Sequence, residues 1–204
     1  MTTIENGDVV GFIEMKDGTE EEYLLLEQYE SAHADGTADR LMDTLAKLDG
    51  SMGGYQINRL EHSLQSATRA RRDGADVDWV VAALLHDIGD EYAPYNHSAI
   101  AAETIRPYVR EEVTWCVEQH GLFQSYYYAH FYGKDRNAKE RFADHPWYSL
   151  CEEFCARWDQ NCFDPDYEND PLESFRADVE TVFSRTAWDP DVMAAGPGVL
   201  LPEG

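Results

Sequence analysis

The chain has 204 residues, 43% of them hydrophobic and 12% aromatic, which suits one domain with a substantial core and excludes wholesale disorder. Its 40 acidic residues against 16 basic ones give a formal charge of -24. That charge argues against nucleic acid as a partner, because a phosphate backbone needs a basic face, and against an anionic membrane surface.

In chain order, the first element expected is a β-hairpin over residues 8–26. Its strands are Val9-Val10-Gly11-Phe12-Ile13 and Tyr23-Leu24-Leu25-Leu26, joined through Asp17-Gly18, a strong turn dipeptide. Everything after it reads as helical. Leu41, Leu45 and Leu48 share one face of a helix over 38–48, which Gly50, Gly53 and Gly54 then interrupt. Leu60, Leu64, Ala67 and Ala70 mark a helix containing His62, and Asp76 is placed to cap another running to about Ile88. A loop over 90–96 precedes a helix opened by His97. A helix over 109–119 ends at His120-Gly121, an aromatic helix covers 123–132, and a longer one over 147–160 holds Asp159. A last helix spans 172–184, and the segment from Ala194 onward reads as poorly ordered. The organisation expected is therefore a hairpin and helix over 1–50 packed on the core, a helical domain over 51–186, and a tail over 187–204.

No run has the length to span a bilayer, and the opening residues carry neither the basic nor the apolar region of a signal peptide, so a cytoplasmic protein is expected. Cys116, Cys151, Cys155 and Cys162 fall at core-like spacing and read as buried thiols.

The functional argument opens at the apolar run 80–85, which leads into His86-Asp87-Ile88-Gly89. A buried helix that ends in an imidazole and a carboxylate is costly unless both groups are satisfied, and a cation satisfies both together. Adjacent helical residues point about 100° apart, so sharing a metal requires both to reach inward near the helix end. Around this pair lie His62, His97, His120 and Asp159, each on a separate expected helix. Singly, each has a plain alternative: a satisfied core histidine, a helix cap, a partner for Arg157. Together they form a set of six metal-capable groups, with only His33, His130 and His145 outside it. Imidazole with carboxylate suits iron, manganese, nickel or zinc.

At this point residues 55–184 resemble the HD-domain superfamily of metal-dependent helical enzymes, which implies an all-α helical bundle, to which the sequence adds the small N-terminal hairpin. His62, His86, Asp87 and Asp159 match the superfamily's His…His-Asp…Asp signature for one metal. His97 and His120 match members that hold a second, with Asp87 bridging. Two-metal members either hydrolyse phosphate esters or use a mixed-valent di-iron centre (Fe2+/Fe3+) with O2 as co-substrate to cleave C–C or C–P bonds. The flanks are similar to the second group. Residues 53–65 resemble the lead-in of the phosphonate-cleaving oxygenases. Asp144-His145-Pro146-Trp147, Phe154 and Pro165-Asp166 resemble myo-inositol oxygenase.

The resemblance implies a di-iron dioxygenase acting on a small hydroxylated substrate, with Tyr55, Asp90, Gln124, Tyr95 and Phe163 lining its pocket. A two-metal phosphohydrolase and an inactive HD-fold binding module are the alternatives. Where the resembling enzymes carry lysines, this chain has Asp90, Phe163 and Gln124, and Tyr55 replaces a glutamate. A neutral or cationic alcohol is therefore expected, recognised by Asp90 and aromatic faces. Arginines such as Arg59 or Arg136 lining the site would reverse that expectation in favour of a phosphonate.

Overall fold

The structure, a computed structural model, describes residues 9–196 and 198–201. Among them every regular element is helical. The expected hairpin does not form, and Asp8 lies outside the described residues. Residues Met15–Asp17 instead make a 3-10 turn, and helix α1 spans Glu20–Asp35. The cause lies in Thr19 and Glu22. The Glu22 carboxylate accepts from the Thr19 N–H at 2.9 Å, while the Thr19 hydroxyl accepts from the Glu22 N–H at 3.4 Å. Such a reciprocal box, with three glutamates in the first turn, starts a helix, whereas an isolated two-stranded hairpin is marginal in water.

Helix α2 covers Thr37–Lys47; of the leucines expected on its buried face Leu45 is buried, Leu41 is half-buried and Leu48 is buried in the turn just past its end, while Met42 is buried as well. Helix α3, Arg59–Asp73, starts on a second box in which the Asn58 side chain accepts from the Glu61 N–H at 2.7 Å and Glu61 accepts from the Asn58 N–H at 2.8 Å. It stops at Gly74, whose φ of 86° is the left-handed conformation that glycine takes without strain.

Helix α4, Val77–Leu85, is capped by Asp76 and buried from Asp78 to Leu85. Helix α5 covers His97–Ile105, α6 Glu111–Gln124, α7 Tyr148–Trp158 and α8 Arg176–Phe183, with a short α9 at Pro190–Met193. α4 runs through the middle, packed by α3, α6 and α8. That enclosure explains its unbroken apolar sequence, since a helix surrounded by others has no polar face. Each leucine or valine fully buried there contributes about 1.5–3 kcal/mol. Trp79, Phe154 and Trp158 fill the space between α4 and α7. All four cysteines are buried free thiols.

Three other boundaries differ from the sequence reading. α6 runs through His120 and Gly121 to Gln124. The aromatic stretch after it forms 3-10 turns at Ser125–Tyr127 and Ala129–Tyr132 in place of a helix, closed by Gly133 at φ 67°. The last segment packs: Leu200 is buried, and the Gly196 N–H donates to the Glu112 carboxylate at 3.0 Å.

Candidate metal centre

Five segments bring the six metal-capable residues to one place, where five are buried and His97 is half-buried. α3 supplies His62. α4 ends at His86, and the backbone leaves the helical region at Asp87 (φ -105°, ψ 8°). That break turns the Asp87 carboxylate back beside the His86 ring, answering the divergence that a continuing helix would impose. The turn Ile88–Glu91 then lies directly against the start of α5. A Cβ on Gly89 would stand 2.5 Å from the His97 carbonyl oxygen, so only glycine permits this approach. α6 supplies His120. Asp159 follows the last turn of α7, where φ -134° and ψ -68° swing it out of the helix.

All four imidazoles are held the same way. His62 Nδ1 lies 2.9 Å from the Cys162 carbonyl, His86 Nδ1 2.7 Å from Ala83, His97 Nδ1 2.8 Å from Pro94 and His120 Nδ1 2.6 Å from Val117. A carbonyl oxygen only accepts, so each Nδ1 carries the proton and donates, which leaves Nε2 as the atom that takes a further proton or a cation. The Nε2 atoms converge. His62 Nε2 and His86 Nε2 are 3.1 Å apart, an approach of two acceptors that only a proton or a cation relieves.

Asp87 stands in the middle. Its Oδ2 lies 3.4 Å from His62 Nε2 and 3.6 Å from His86 Nε2, while its Oδ1 lies 3.4 Å from His97 Nε2 and 3.3 Å from His120 Nε2. Asp159 Oδ1 is 3.4 Å from His62 Nε2 and accepts from Gln124 Nε2 at 2.8 Å, and its buried Oδ2 has no donor. An unpartnered buried carboxylate oxygen is costly in a dry interior.

Electrostatics point the same way. Burial alone would lower the His62 pKa, but the Asp159 and Asp87 carboxylates outweigh it and raise it to about 10. Burial would raise the Asp87 carboxyl, yet the surrounding histidines hold it well below the usual range, and Asp159 is likewise lowered. The pocket thus favours bound positive charge. Its donors are imidazole nitrogen and carboxylate oxygen, the set suited to divalent transition metals with borderline preferences. Ligand atoms of His62, His86 and Asp159 lie within 4.8 Å of one another, as do those of His86, Asp87 and His120. The residues fit a metal.

The expected pocket residues fare unequally. Phe163 stacks on the His62 ring with centroids 4.4 Å apart, and Tyr55 stacks on Phe163 at 4.9 Å, half-exposed above it. Gln124 touches the cluster through Asp159. Tyr95 is fully exposed in the turn before His97. Asp90 is buried and no free anion, because its Oδ2 is 2.7 Å from Arg59 Nη2. Arg59 also places Nη1 3.2 Å from Asp87 Oδ2 and is itself buried. A buried arginine therefore does line the cluster, and the expectation of a cation-poor site falls with it. The signal was present, since Arg59 lies one helical turn before His62. Arg136 lies over the Tyr126 ring at 4.1 Å, and Lys139 is buried against Glu152. His145 stacks on Trp115 at 4.0 Å, away from the cluster.

Residues 59–150 match the family model described as the HD domain. That stretch contains five of the six residues, and Asp159 follows it. A curated relative is (1-hydroxy-2-(trimethylamino)ethyl)phosphonate dioxygenase (glycine-betaine-forming) from Leisingera caerulea, 31% identical over 84 residues, a match covering 36% of this chain and 43% of that protein. The chain thus spans less than half the length of that relative. Domain and cluster together support a metal-dependent enzyme.

Proposed function

We propose that the chain is a two-metal HD oxygenase that uses O2 to cleave a C–C or C–P bond in a small hydroxylated substrate. In this reading His62, His86 and Asp159 would hold one iron and His97 and His120 the other, with Asp87 shared between them. The observation that carries it is the Asp87 carboxylate, with one oxygen turned to each pair of Nε2 lone pairs. When bound, the irons would supply O2 activation and an electrophilic seat for the substrate hydroxyl. The chain's own groups orient and exclude. The four carbonyl contacts fix the imidazoles. Phe163 and Tyr55 cover the His62 side, and Gln124 holds Asp159. The relative named above is a phosphonate dioxygenase, which favours oxygenase over hydrolase. The name of that relative's substrate, with Arg59 as a cation beside the cluster, favours an alcohol bearing a phosphonate as the substrate class.

The test is oxygen uptake by iron-loaded, reduced protein given (1-hydroxy-2-(trimethylamino)ethyl)phosphonate or a simple 1-hydroxyphosphonate. Uptake matched to substrate consumed supports the proposal. Phosphate release from nucleotides without oxygen uptake would move the assignment to a two-metal phosphohydrolase.

A further inference from the structure

We propose that Arg59 and Asp90 form a clamp that assembles the second metal position, the one between His97 and His120. The inference rests on the two-metal reading. Neither residue offers an atom to a metal in that scheme, yet both are buried among the ligands, where an ion pair without a task is expensive to keep.

Their geometry supplies the task. The Arg59 guanidinium spreads its fork over two carboxylates, Nη1 to Asp87 Oδ2 at 3.2 Å and Nη2 to Asp90 Oδ2 at 2.7 Å. Holding Oδ2 of Asp87 sets the rotation of that carboxylate and thereby aims Oδ1 at His97 and His120. The other oxygen of Asp90 lies 3.5 Å from His97 Nδ1, on the side of the ring that donates to Pro94. One chain of contacts therefore runs from α3 through Arg59 and Asp90 to His97. His97 needs such help, because its side chain is 23% exposed while those of His62, His86 and His120 are at most 3% exposed. The packed walls that lock the other three rings are missing on its outer side. A planar, always charged guanidinium reaches both carboxylates at once, which a lysine ammonium does not. Arg59 and Asp90 are positioning residues, and their effect falls on one metal and not on the other.

The experiment is anaerobic equilibrium dialysis of ferrous iron against metal-free wild type, Arg59→Gln, Asp90→Asn and, as the reference for a lost second position, His97→Gln. Circular dichroism checks that each variant is folded. Wild type should bind two irons. Arg59→Gln and Asp90→Asn should keep one at wild-type affinity and bind the second about 10–100-fold more weakly, the size of effect seen when a residue orienting a ligand is removed. Asp90→Asn keeps the shape of the side chain, so it carries the test should Arg59→Gln fail to fold. Two irons at wild-type affinity in either folded variant would overturn the clamp and leave the two-metal reading standing. A single iron in wild type would overturn both.

Discussion

Asp87 is the residue on which the cluster turns, because both halves of it share that carboxylate. Asp87→Asn keeps the shape, removes the charge and replaces one oxygen by a donor facing lone pairs that also expect a cation. Iron content should fall below one per chain, and oxygen uptake should fall by more than the roughly 10–100-fold that an outer-shell change costs. Full metal content in that variant would remove Asp87 from the bridge. The thiols of Cys116 and Cys151 show the opposite use of burial. Desolvation raises both, Cys151 well above the ordinary value. An unfolded thiol ionises near pH ~8.5. Above that pH the unfolded chain loses protons that the folded one keeps, so the stability present below it is progressively lost as the pH rises. Denaturant midpoints should therefore decline from about pH 8.5 upward. Replacing both thiols by alanine should flatten that decline, and a curve unchanged by the replacement would refute the assignment.

At the scale of elements, the cluster depends on how α3 begins and how α4 ends. Asn58 caps α3 and also donates to Asp49 at 2.8 Å, fixing the first turn from which Arg59 and His62 project. Asn58→Ala should cost about 0.5–2 kcal/mol in denaturant unfolding, the usual worth of such a cap. The end of α4 is set by the turn through Gly89. Gly89→Ala would drive a methyl group into the backbone of His97, which must then move. We expect a loss of about 1–3 kcal/mol, the range for overpacking, together with weaker binding of the second iron. A variant as stable and as metal-rich as wild type would show that α5 yields without consequence.

On the scale of the molecule, the charge of -24 works against the compact state through self-repulsion. Much of the positive charge is spent locally. Arg110 and Arg185 both pair with buried Asp78 at the start of α4, and Arg71 holds Asp170 and Asp178. Screening should therefore help more than it harms, and thermal midpoints should rise between low salt and about 1 M potassium chloride, where the Debye length shrinks to about 3 Å. A fall would mean that these pairs outweigh the surface repulsion. Among the described residues no helix is long and apolar enough to cross a membrane.

What the sequence determined by itself was the pattern that spacing encodes. The apolar run into His86-Asp87 marked a buried helix end, leucine periodicity marked α2, and Asp76 marked the start of α4, because each depends on neighbours within a turn or two. Six metal-capable groups could also be named from the chain, because their order matched a family signature although each singly had a plain alternative. Tertiary structure decided the rest. Tyr23-Leu24-Leu25-Leu26 suits a strand or a helix, and the reciprocal bonds of Thr19 and Glu22 tipped it to helix. His120-Gly121 read as a helix end, but the glycine lies within α6, where a Cβ would stand 2.9 Å from the Ser98 hydroxyl. Asp90 read as a free anion, and its buried pairing with Arg59 comes from a helix 31 residues earlier, a contact no local pattern records. The direction in which a side chain points, and so the company it keeps, is set by packing between elements distant in sequence.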